Sequence, residues 1–526
     1  MNGSFFEWRD PASSASQSTG NFPANYPNTW LRIQRVGNVF NGYASYDGQV
    51  WTSLGSATMA MPNQIYVGLS VSSHSTDQVA TAQFRDFTNV NNAVVGNVAN
   101  PHEPLGPSAR TTPIVISEIM YKPAARTDGK NLEFIELYNS NPWFQDISGY
   151  KLICADVSYT FPAHTTLGGG AFLVVAAAPA DIQSVYGITN VLGPYTGSLK
   201  KSETLQLLDE QGAVLLTVPY ANAAPWPVAA GGAGHSLVLA NPTYGEGDPR
   251  AWDISDVVGG SPGQAEAFRP SPLRNVVINE FLAHTDLPEH DYIELYNHST
   301  TAVDVSGCIL TDDPTTNRFV IPNGTVIPAG GFVSFDDTQF PFRLDAAGEA
   351  IYLKNPDQTR VLDAVAFGAQ ENGVATGRWP DGANDFYRLS APTPGATNAP
   401  ILTSPVVINE LMYDPISGND DDQYVELYNR SGGAVDMSGW QLSDGVSYTI
   451  PTNTTLAAGG YLVIAKNAAQ LISHYPNLNT ANCLGNFSGK LAHGGEHIAL
   501  TKPVEHKVTD GSGNTVTNII NVMVND

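Results

Sequence analysis

Charged side chains are scarce in this 526-residue chain, and basic side chains are the scarcest of them. Charged residues make up 14% of the sequence, with 25 Lys and Arg against 50 Asp and Glu, so the formal net charge is −25. Such an acidic chain is repelled by nucleic acid and by anionic membranes, which excludes a basic groove for DNA or RNA. No cofactor is predicted, and calcium is the one ion that a carboxylate-rich surface leaves open.

Cysteine and long apolar runs are also lacking. The three cysteines, Cys154, Cys308 and Cys483, are odd in number and occupy different places in the repeats described below, which excludes a shared disulfide framework. This fits a reducing compartment or an exported bacterial protein that does not depend on disulfides. The best apolar run, residues 171–178, is far shorter than the ~20 residues of a membrane helix, so no transmembrane segment is predicted. The first residues also lack the basic and apolar regions of a signal peptide.

Three segments of the sequence repeat the same motifs in the same order. Each has an opener that contains a Glu, then a segment ending in Tyr/Phe-Ile/Val-Glu-Leu-Tyr-Asn, then Asp-x-Ser-Gly. The residues are 116–120, 133–139 and 146–149; 277–281, 291–297 and 304–307; 407–411, 423–429 and 436–439. This spacing exceeds the roughly 20–50 residues of solenoid units and therefore indicates tandem copies of a small domain. Repetition favours a structural or binding role over a single active site.

Within each copy the pattern is mostly that of strands. Short runs rich in Val, Thr, Tyr, Ile and Phe, bounded by Gly, Pro, Asn or Asp, predict an all-β sandwich or barrel. A Gly turn precedes an equivalent buried strand at 170–175, 331–335 and 460–464. A short helix is predicted next in the first and third copies, at 180–186 and 468–474, whereas the second copy has the shorter segment 336–340.

Residues 1–90 differ from the repeats. Residues 30–35 alternate as in a strand, 65–71 are predicted to form a buried strand, and Asn41-Gly42 and Asp47-Gly48 are predicted hairpin turns. This region resembles the second half of a concanavalin-like jelly roll in three stretches, residues 27–30, 46–51 and 67–74. The resemblance implies a partial jelly-roll domain at 1–90, because ninety residues do not complete that fold.

The repeats resemble the lamin-tail domain, an immunoglobulin-like β-sandwich of intermediate-filament tails and of many exported bacterial proteins. The matching motifs are the Ile-Asn-Glu opener, Tyr-Ile-Glu-Leu-Tyr-Asn, the Asp-x-Ser-Gly-Trp of 436–440, a Gly-Gly-Tyr-Leu-Val strand, and two closing motifs at 377–382 and 392–395. The resemblance implies tandem immunoglobulin-like β-sandwiches of the bacterial type. They are copy 1 (113–268), copy 2 (275–398) and copy 3 (405–526), with linkers at 91–112, 269–274 and 399–404.

Copy 3 departs from this pattern because it lacks both closing motifs. Together with the partial jelly roll, this predicts a chain that is truncated at both ends. Incomplete terminal domains expose strand edges and apolar core, so self-association through them is expected.

Two glutamates recur in every copy: Glu118 and Glu136, Glu280 and Glu294, Glu410 and Glu426. Each lies in an apolar strand, where an unpaired carboxylate is costly. Neighbouring glutamates would suit an acid/base pair with split pKa values, or a shared cation. The alternative, which triplication favours, is that each carboxylate accepts hydrogen bonds from loop N–H groups or a tyrosine hydroxyl and stabilises the sandwich. No catalytic, cofactor-binding or metal-binding residue is therefore assigned.

Three further motif matches are interpreted as structural. His493-Gly-Gly-Glu-His497 fits the H-x-x-E-H zinc pattern, which requires a helix, but its Gly-Gly predicts a turn before a strand. The G-x-S-x-G pattern of Gly259 to Gly263 fits a nucleophile elbow, yet Pro262 has no N–H for an oxyanion, so a domain exit is predicted. The stretch from Asn419 to Asp422 lacks the full calcium-loop spacing and is predicted to be a solvated turn.

These observations predict a non-catalytic modular array of an exported bacterial protein, located outside the cell or at its surface. Its domains would serve as spacer, adhesion or protein-interaction modules, with protein or glycan partners and no nucleic acid. The alternative makes them accessory or targeting domains of a larger enzyme, because lamin-tail domains of this type accompany spore-coat-type kinases and nucleases, and a jelly roll suits a glycan-active protein. A cytoplasmic filament partner would fit the free thiols but not the jelly roll.

Overall fold

Strands form nearly all of the regular secondary structure, which confirms the predicted all-β class. The computed structural model describes residues 3–9, 16–23, 30–45, 51–61, 105–106, 111–286, 288–316, 318–509 and 515–525. Helices α1 (Pro179–Tyr186) and α2 (Ala468–His474) lie where they were predicted in copies 1 and 3. Short 3₁₀ turns lie at Val228–Gly231, Pro242–Tyr244, Pro249–Ala251, Pro272–Asn275 and Asp420–Asp422. Throughout these described ranges, a helix with the length and apolar character needed to cross a membrane is lacking.

The N-terminal region forms a hairpin that packs on a three-stranded antiparallel meander. Side chains from both, among them Phe6, Phe22, Phe40 and Leu54, are buried together. The strand predicted at 30–35 is confirmed. The strands are β1 (Gly3–Trp8), β2 (Gln17–Pro23), β3 (Trp30–Val36), β4 (Val39–Ser45) and β5 (Thr52–Thr58).

The predicted hairpin turn at Asn41-Gly42 is wrong, because both residues lie inside β4. The turn between β3 and β4 is instead at Gly37 and Asn38, where Gly37 has a φ of +62° that favours glycine. Gly42 is required by packing, since a Cβ atom there would lie 2.6 Å from the Phe6 ring. The turn predicted at 47–48 and the strand predicted at 65–71 lie outside the described residues, and the jelly-roll resemblance stays a prediction.

The three copies have similar but not identical sets of strands. Copy 1 contains β6 (Ile114–Met120), β7 (Phe134–Asn139), β8 (Gln145–Asp146), β9 (Lys151–Ile153), β10 (Ser158–Thr160), β11 (Thr166–Leu167), β12 (Phe172–Ala176), β13 (Val191–Leu192), β14 (Leu205–Leu208), β15 (Val214–Val218), β16 (Leu237–Leu239) and β17 (Trp252–Ile254). Copy 2 contains β18 (Val276–Leu282), β19 (Tyr292–Asn297), β20 (Val303–Asp304), β21 (Ile309–Thr311), β22 (Phe319–Val320), β23 (Val326–Ile327), β24 (Phe332–Asp336), β25 (Glu349–Lys354), β26 (Val361–Phe367), β27 (Thr376–Arg378) and β28 (Phe386–Arg388). Copy 3 contains β29 (Val406–Met412), β30 (Tyr424–Asn429), β31 (Val435–Asp436), β32 (Gln441–Asp444), β33 (Val446–Thr449), β34 (Thr455–Leu456), β35 (Tyr461–Ala465), β36 (Cys483–Gly485), β37 (Ser488–Gly489), β38 (Ile498–Thr509) and β39 (Thr515–Asn525).

Each copy is a sandwich of two sheets around its own apolar core. The first sheets have the orders β13-β12-β7-β6-β16-β17, β24-β19-β18-β27-β28 and β29-β30-β35-β36. The second sheets have the orders β10-β9-β14-β15, β22-β21-β25-β26 and β37-β33-β32-β38-β39. The glutamate-motif strands β7, β19 and β30 are therefore equivalent, as predicted. The opener strands β6 and β18 lie inside their sheets, whereas β29 lies at an edge.

The buried Asn that ends each glutamate motif connects its strand to the neighbouring turns through side-chain hydrogen bonds. In copy 2, the Asn297 side-chain amide donates to the carbonyl oxygens of Thr301, Ile327 and Pro328 at 2.8–3.0 Å. Its Oδ1 accepts the N–H of Ser299 at 3.0 Å. Asn139 and Asn429 make the equivalent bonds in copies 1 and 3. A buried amide that satisfies several main-chain groups explains why the motif ends in Asn.

Replacing Asn297 by Ala would leave buried carbonyl groups without a donor and should lower the stability of copy 2 by about 1–3 kcal/mol. Hydrogen exchange of the β19 amides in the full chain measures this loss. Asn297→Asp should destabilise at least as much, because a carboxylate would face carbonyl oxygens. Asn323→Ala, at an exposed position, is the control and should change stability by less than about 0.5 kcal/mol. Equal exchange in Asn297→Ala and in the control would contradict this role.

Candidate functional site

The two glutamates of each copy are direct neighbours on paired strands. Glu118 is opposite Glu136, and the same register joins the pairs of copies 2 and 3. A β-bulge precedes the first glutamate and directs the bulge residue toward the second one. In copy 1, Ser117 Oγ donates to Glu136 Oε1 at 2.7 Å. The amides of Asn279 and Asn409 donate to the second glutamates of copies 2 and 3 at 3.0 and 2.8 Å. We refer to each such neighbouring set as a glutamate pair.

The glutamate pair of copy 1 binds the segment that leaves the domain. The N–H of Ser261 donates to Glu118 Oε1 at 3.0 Å, and the N–H of Gly263 donates to Glu136 Oε2 at 2.5 Å. Pro262, between them, has no N–H to satisfy. Gly260 allows the close approach, because a Cβ atom there would lie 2.1 Å from the Glu118 carboxylate.

Copy 2 repeats this arrangement at its own exit. The N–H and Oγ1 of Thr393 donate to Glu280 at 2.9 and 2.8 Å, and the N–H of Gly395 donates to Glu294 Oε2 at 2.6 Å. We call the Ser/Thr-Pro-Gly segments 261–263 and 393–395 the exit loops. The G-x-S-x-G match of copy 1 is therefore part of a domain exit, as predicted, and the glutamates accept the loop hydrogen bonds that the structural interpretation requires.

The first glutamate also takes a hydroxyl donor, which differs between the copies. In copy 2, Tyr292 donates from its hydroxyl to Glu280 Oε1 at 2.7 Å. Copy 1 has Phe134 at the equivalent position, and there the Ser236 hydroxyl donates to Glu118 instead. By strand register, the copy 2 counterpart of Ser236 is Ala375, which has no donor. The first glutamates of copies 1 and 2 thus each receive a hydroxyl donor, but from different places in the domain: Ser236 in copy 1 and Tyr292 in copy 2.

Burial dominates the electrostatics of these sites. Burial raises the pKa of Glu136 and of Glu294 to about 8, although the loop and bulge donors oppose the rise. It also raises the pKa of Glu118, with a further contribution from the neighbouring Glu136 charge, and the pKa of Glu280. All four side chains are at most 1% exposed. Perturbed carboxyl groups are typical of acid/base sites, but groups enclosed by their own exit loops have no room for a substrate.

In the part of copy 3 that the structure describes, the glutamate pair accepts no exit-loop N–H group. Glu410 accepts the Tyr424 hydroxyl at 2.6 Å, and Glu426 accepts the Asn409 amide at 2.8 Å, as their counterparts in copy 2 do. Yet Glu410 is exposed and Glu426 is half-buried.

The other candidates from the sequence do not converge on one site. His493 lies in a turn with Asp414 and Asp420 at 3.6 and 3.4 Å, whereas His497 contacts Asp444 at 2.9 Å. Among the residues that the structure describes, no group of His, Cys, Asp and Glu side chains is arranged to hold a metal ion.

The acidic stretch 419–422 is more ordered than the solvated turn predicted for it. It forms a 3₁₀ turn capped by the Asn419 side chain, and Asp422 binds Gln470 of α2 at 2.8 Å. The three cysteines are free thiols; Cys308 and Cys483 are buried, and burial raises the pKa of Cys308 to about 12, so its thiol is unreactive.

Sequence reasoning missed the residues that bind the glutamates. Ser261 and Thr393 were assigned to domain exits, but their partners lie more than 100 residues earlier in the chain. Two signals could have indicated the pairing. One is the recurrence of Ser/Thr-Pro-Gly at the end of copies 1 and 2. The other is that copy 1 has Phe134 with Ser236, whereas copy 2 has Tyr292 with Ala375 at the equivalent positions.

The chain was also compared with known proteins. The family described as Lamin Tail Domain matches it in three segments, residues 107–222, 269–369 and 401–519, which together make up more than half of the chain. None of the curated proteins compared with the chain matches it.

Ser236→Ala should destabilise copy 1 by about 1–3 kcal/mol, because buried Glu118 loses its hydroxyl donor. Adding Phe134→Tyr should restore part of the loss by supplying the donor that copy 2 uses. Denaturant unfolding and hydrogen exchange of β6 measure both effects. Val214→Ala, at an exposed apolar position of copy 1, is the control. Failure of the double variant to recover any stability would contradict the proposed exchange of donors.

The stability of copy 2 should fall as pH rises from about 4.5 to 8. The pKa of Glu294 is about 8 in the folded protein against an ordinary value of 4.5, so across this range the folded state retains a proton that the unfolded chain has lost. Hydrogen exchange of the β19 amides, corrected for intrinsic rates, should show the stability of copy 2 falling with pH. The Glu294→Gln variant should show a smaller fall. Glu426→Gln in copy 3 is the matched control. A slope in copy 2 that is unchanged by Glu294→Gln would contradict the assignment.

Proposed function

The chain belongs to the lamin tail domain family, and on this premise we propose that it is a non-catalytic array that holds its sandwich domains in fixed relative orientation. In this proposal the array acts as a spacer and interaction scaffold of an exported bacterial protein. The observation that carries the proposal is the set of polar and apolar contacts between successive copies. Enclosure of the glutamate pairs of copies 1 and 2 by their own exit loops supports the non-catalytic part.

Copies 1 and 2 meet at a buried aspartate. Asp256, which is 3% exposed, accepts hydrogen bonds from Arg274 and from Arg360 of the β25–β26 hairpin, and Arg269 lies 3.7 Å away. Arg360 also donates to the Asp256 carbonyl oxygen at 2.7 Å. Charge-assisted hydrogen bonds with several donors fix an orientation better than a single exposed ion pair does.

A neutral histidine continues the same interface. Burial lowers the pKa of His235 to about 3, so its ring is uncharged. The ring therefore has one donor nitrogen and one acceptor nitrogen: Nδ1 lies 2.8 Å from the Ser255 carbonyl, and Nε2 accepts the N–H of Val361 at 3.0 Å. The N–H of Val258 donates to Thr359 O at 2.8 Å. Apolar side chains surround these bonds, namely Ala229, Ala233, Tyr352 and Val361.

Copies 2 and 3 are joined by a second mixed interface. Glu371 of copy 2 accepts hydrogen bonds from Arg388 of the same copy and from Lys502 of copy 3. Arg388 also donates to the carbonyl oxygen of Met523 at 3.1 Å. The apolar part of the interface consists of Ala346, Ile520 and Val522. With short proline-bearing linkers, both joints restrict the angle between neighbours.

The proposal also places the protein outside the cell. This part of the proposal rests on the likeness of the repeats to lamin-tail domains of exported bacterial proteins. Fractionation of the source cells followed by immunodetection tests it. Recovery of the protein only from the cytoplasm would overturn this part of the proposal and leave the spacer role intact.

Small-angle scattering of the full chain should give the profile of a rigid, elongated particle, with a falling Kratky plot. Arg360→Ala should increase the radius of gyration and raise the Kratky plot at high angle, because Asp256 loses the bond that crosses to copy 2. Arg343→Ala, which removes an exposed charge of the same copy, is the control. A wild-type profile that already requires independently moving domains would contradict the spacer role.

A further inference from the structure

The joint between copies 2 and 3 contains two histidine rings in contact. His284 follows β18 in copy 2 and is 5% exposed, and His506 lies in β38 of copy 3. The ring centroids are 5.0 Å apart, and the ring planes are almost perpendicular, at 88°. Two imidazoles at this distance repel each other when both carry a proton, so the joint contains a contact that depends on pH.

The ring of His506 lacks a hydrogen-bond partner that a charged imidazole needs. Nδ1 of His284 lies 2.8 Å from the Gln370 carbonyl oxygen, to which it donates. Nδ1 of His506 is buried, and among the described residues it has no hydrogen-bond partner. A neutral imidazole can leave its acceptor nitrogen unpaired, whereas an imidazolium has two N–H groups and requires two acceptors. The closed joint therefore favours the uncharged form of His506.

His506 belongs to the surface of β38 that faces copy 2. Lys502, Val504 and His506 are alternate residues of this strand and therefore share one face. Lys502 hydrogen bonds to Glu371 of copy 2, and Val504 packs against the apolar cluster of the joint. A charge that appears at His506 thus acts on the same surface that holds the two copies together.

The neighbours of His506 within its own hairpin are a neutral side chain and two charged side chains that point away. Asn518 of β39 is its partner in the antiparallel register. Glu505 and Lys507 flank it in β38, so they lie on the opposite face of the strand, and both are exposed. Compensation for a proton on His506 therefore depends on the charges of copy 2.

The charges of copy 2 give little compensation at low pH. Burial and the neighbouring His284 lower the pKa of His506, and Asp345 opposes this effect in part. On the far side of His284, burial raises the pKa of Asp291 to about 6, and the cationic Arg343 lies near the same carboxyl group. Asp291 therefore loses its negative charge over the pH range in which histidines gain a positive one.

The joint between copies 1 and 2 is built differently. Its buried histidine, His235, has a partner for each ring nitrogen and remains uncharged, because burial lowers its pKa to about 3. The contacts of Asp256 with Arg274 and Arg360 pair opposite charges. Mild acid should therefore leave copies 1 and 2 in their fixed orientation.

We propose that the joint between copies 2 and 3 is an acid-sensitive hinge, which is closed at about pH 7.5 and opens when His506 and His284 take up protons. The pKa of His506 is lower in the closed joint than the ordinary value of 6.5, so the open joint binds the proton more tightly. The closed joint is therefore fully stable above about pH 6.5 and loses stability as pH falls below that value. This inference rests on the proposed rigid array, since only a fixed joint can open.

Small-angle scattering of the full chain at about pH 7.5 and about pH 5.5 tests the hinge. At the lower pH the radius of gyration should increase and the Kratky plot should rise at high angle. His506→Gln should lose most of this increase, because glutamine cannot be protonated. His474→Gln, at an exposed histidine of copy 3, is the control and should retain it. Unfolding of copy 2 does not account for the change, because the raised pKa of Glu294 makes copy 2 more stable in acid.

A titration of the unmodified chain gives a second measurement that needs no variant. The His506 ring Cε1–H resonance, followed by NMR, should titrate over the same pH range as the radius of gyration. Different pH ranges for the two changes, or a His506→Gln chain that expands in acid as the unmodified chain does, would overturn the proposal. A chain that is rigid at both pH values would overturn this inference alone. A chain that is already flexible at about pH 7.5 would overturn the proposed function as well.

Discussion

Two adjacent buried carboxylates are the constraint on which the first sheet of copies 1 and 2 depends. An uncompensated charge in an apolar strand is unstable, so each glutamate needs donors, and the bulge residue, a hydroxyl and the exit loop supply them. Satisfying Glu280 and Glu294 requires that the chain return to the opener strand with Thr393 and Gly395 in place. The glutamate pair therefore fixes where the polypeptide leaves the domain, and with it the start of the next linker.

The same constraint explains why residues typical of an active site occur here although no accessible active site is formed in copies 1 and 2. Neighbouring acids, pKa values raised by burial and a serine within a glycine-rich motif are each typical of catalytic centres. In copies 1 and 2 the glutamates accept hydrogen bonds from main-chain and side-chain donors of the same domain. The Ser261 hydroxyl donates to Glu266 at 2.8 Å instead of to a base such as histidine. Geometry of this kind stabilises a sandwich and leaves no room for a substrate.

Orientation between domains follows a similar principle. Asp256 and Glu371 are acids with several cationic neighbours, and each accepts bonds that cross to the next copy. An acid that accepts hydrogen bonds from two or more donors fixes the relative orientation of the two domains as well as their distance. Apolar contacts alone would allow the domains to slide against each other. Copy 3 is joined to the array by Lys502 and by Met523, whose carbonyl oxygen accepts from Arg388 of copy 2.

The sequence by itself determined the repeats, the all-β class, the equivalence of the glutamate strands and the two short helices, because periodicity and turn residues are local signals. It also indicated that the glutamates accept hydrogen bonds, since their recurrence in apolar strands demands it. Local signals failed at Asn41-Gly42, where packing of Phe6 against Gly42 outweighed turn preference. Only the tertiary structure decided the partners of Glu118 and Glu280, because Ser261 and Thr393 are 143 and 113 residues away along the chain. It alone decided the exchange of donors between Ser236 and Tyr292, since a side chain's partners depend on which other strand lies beside it.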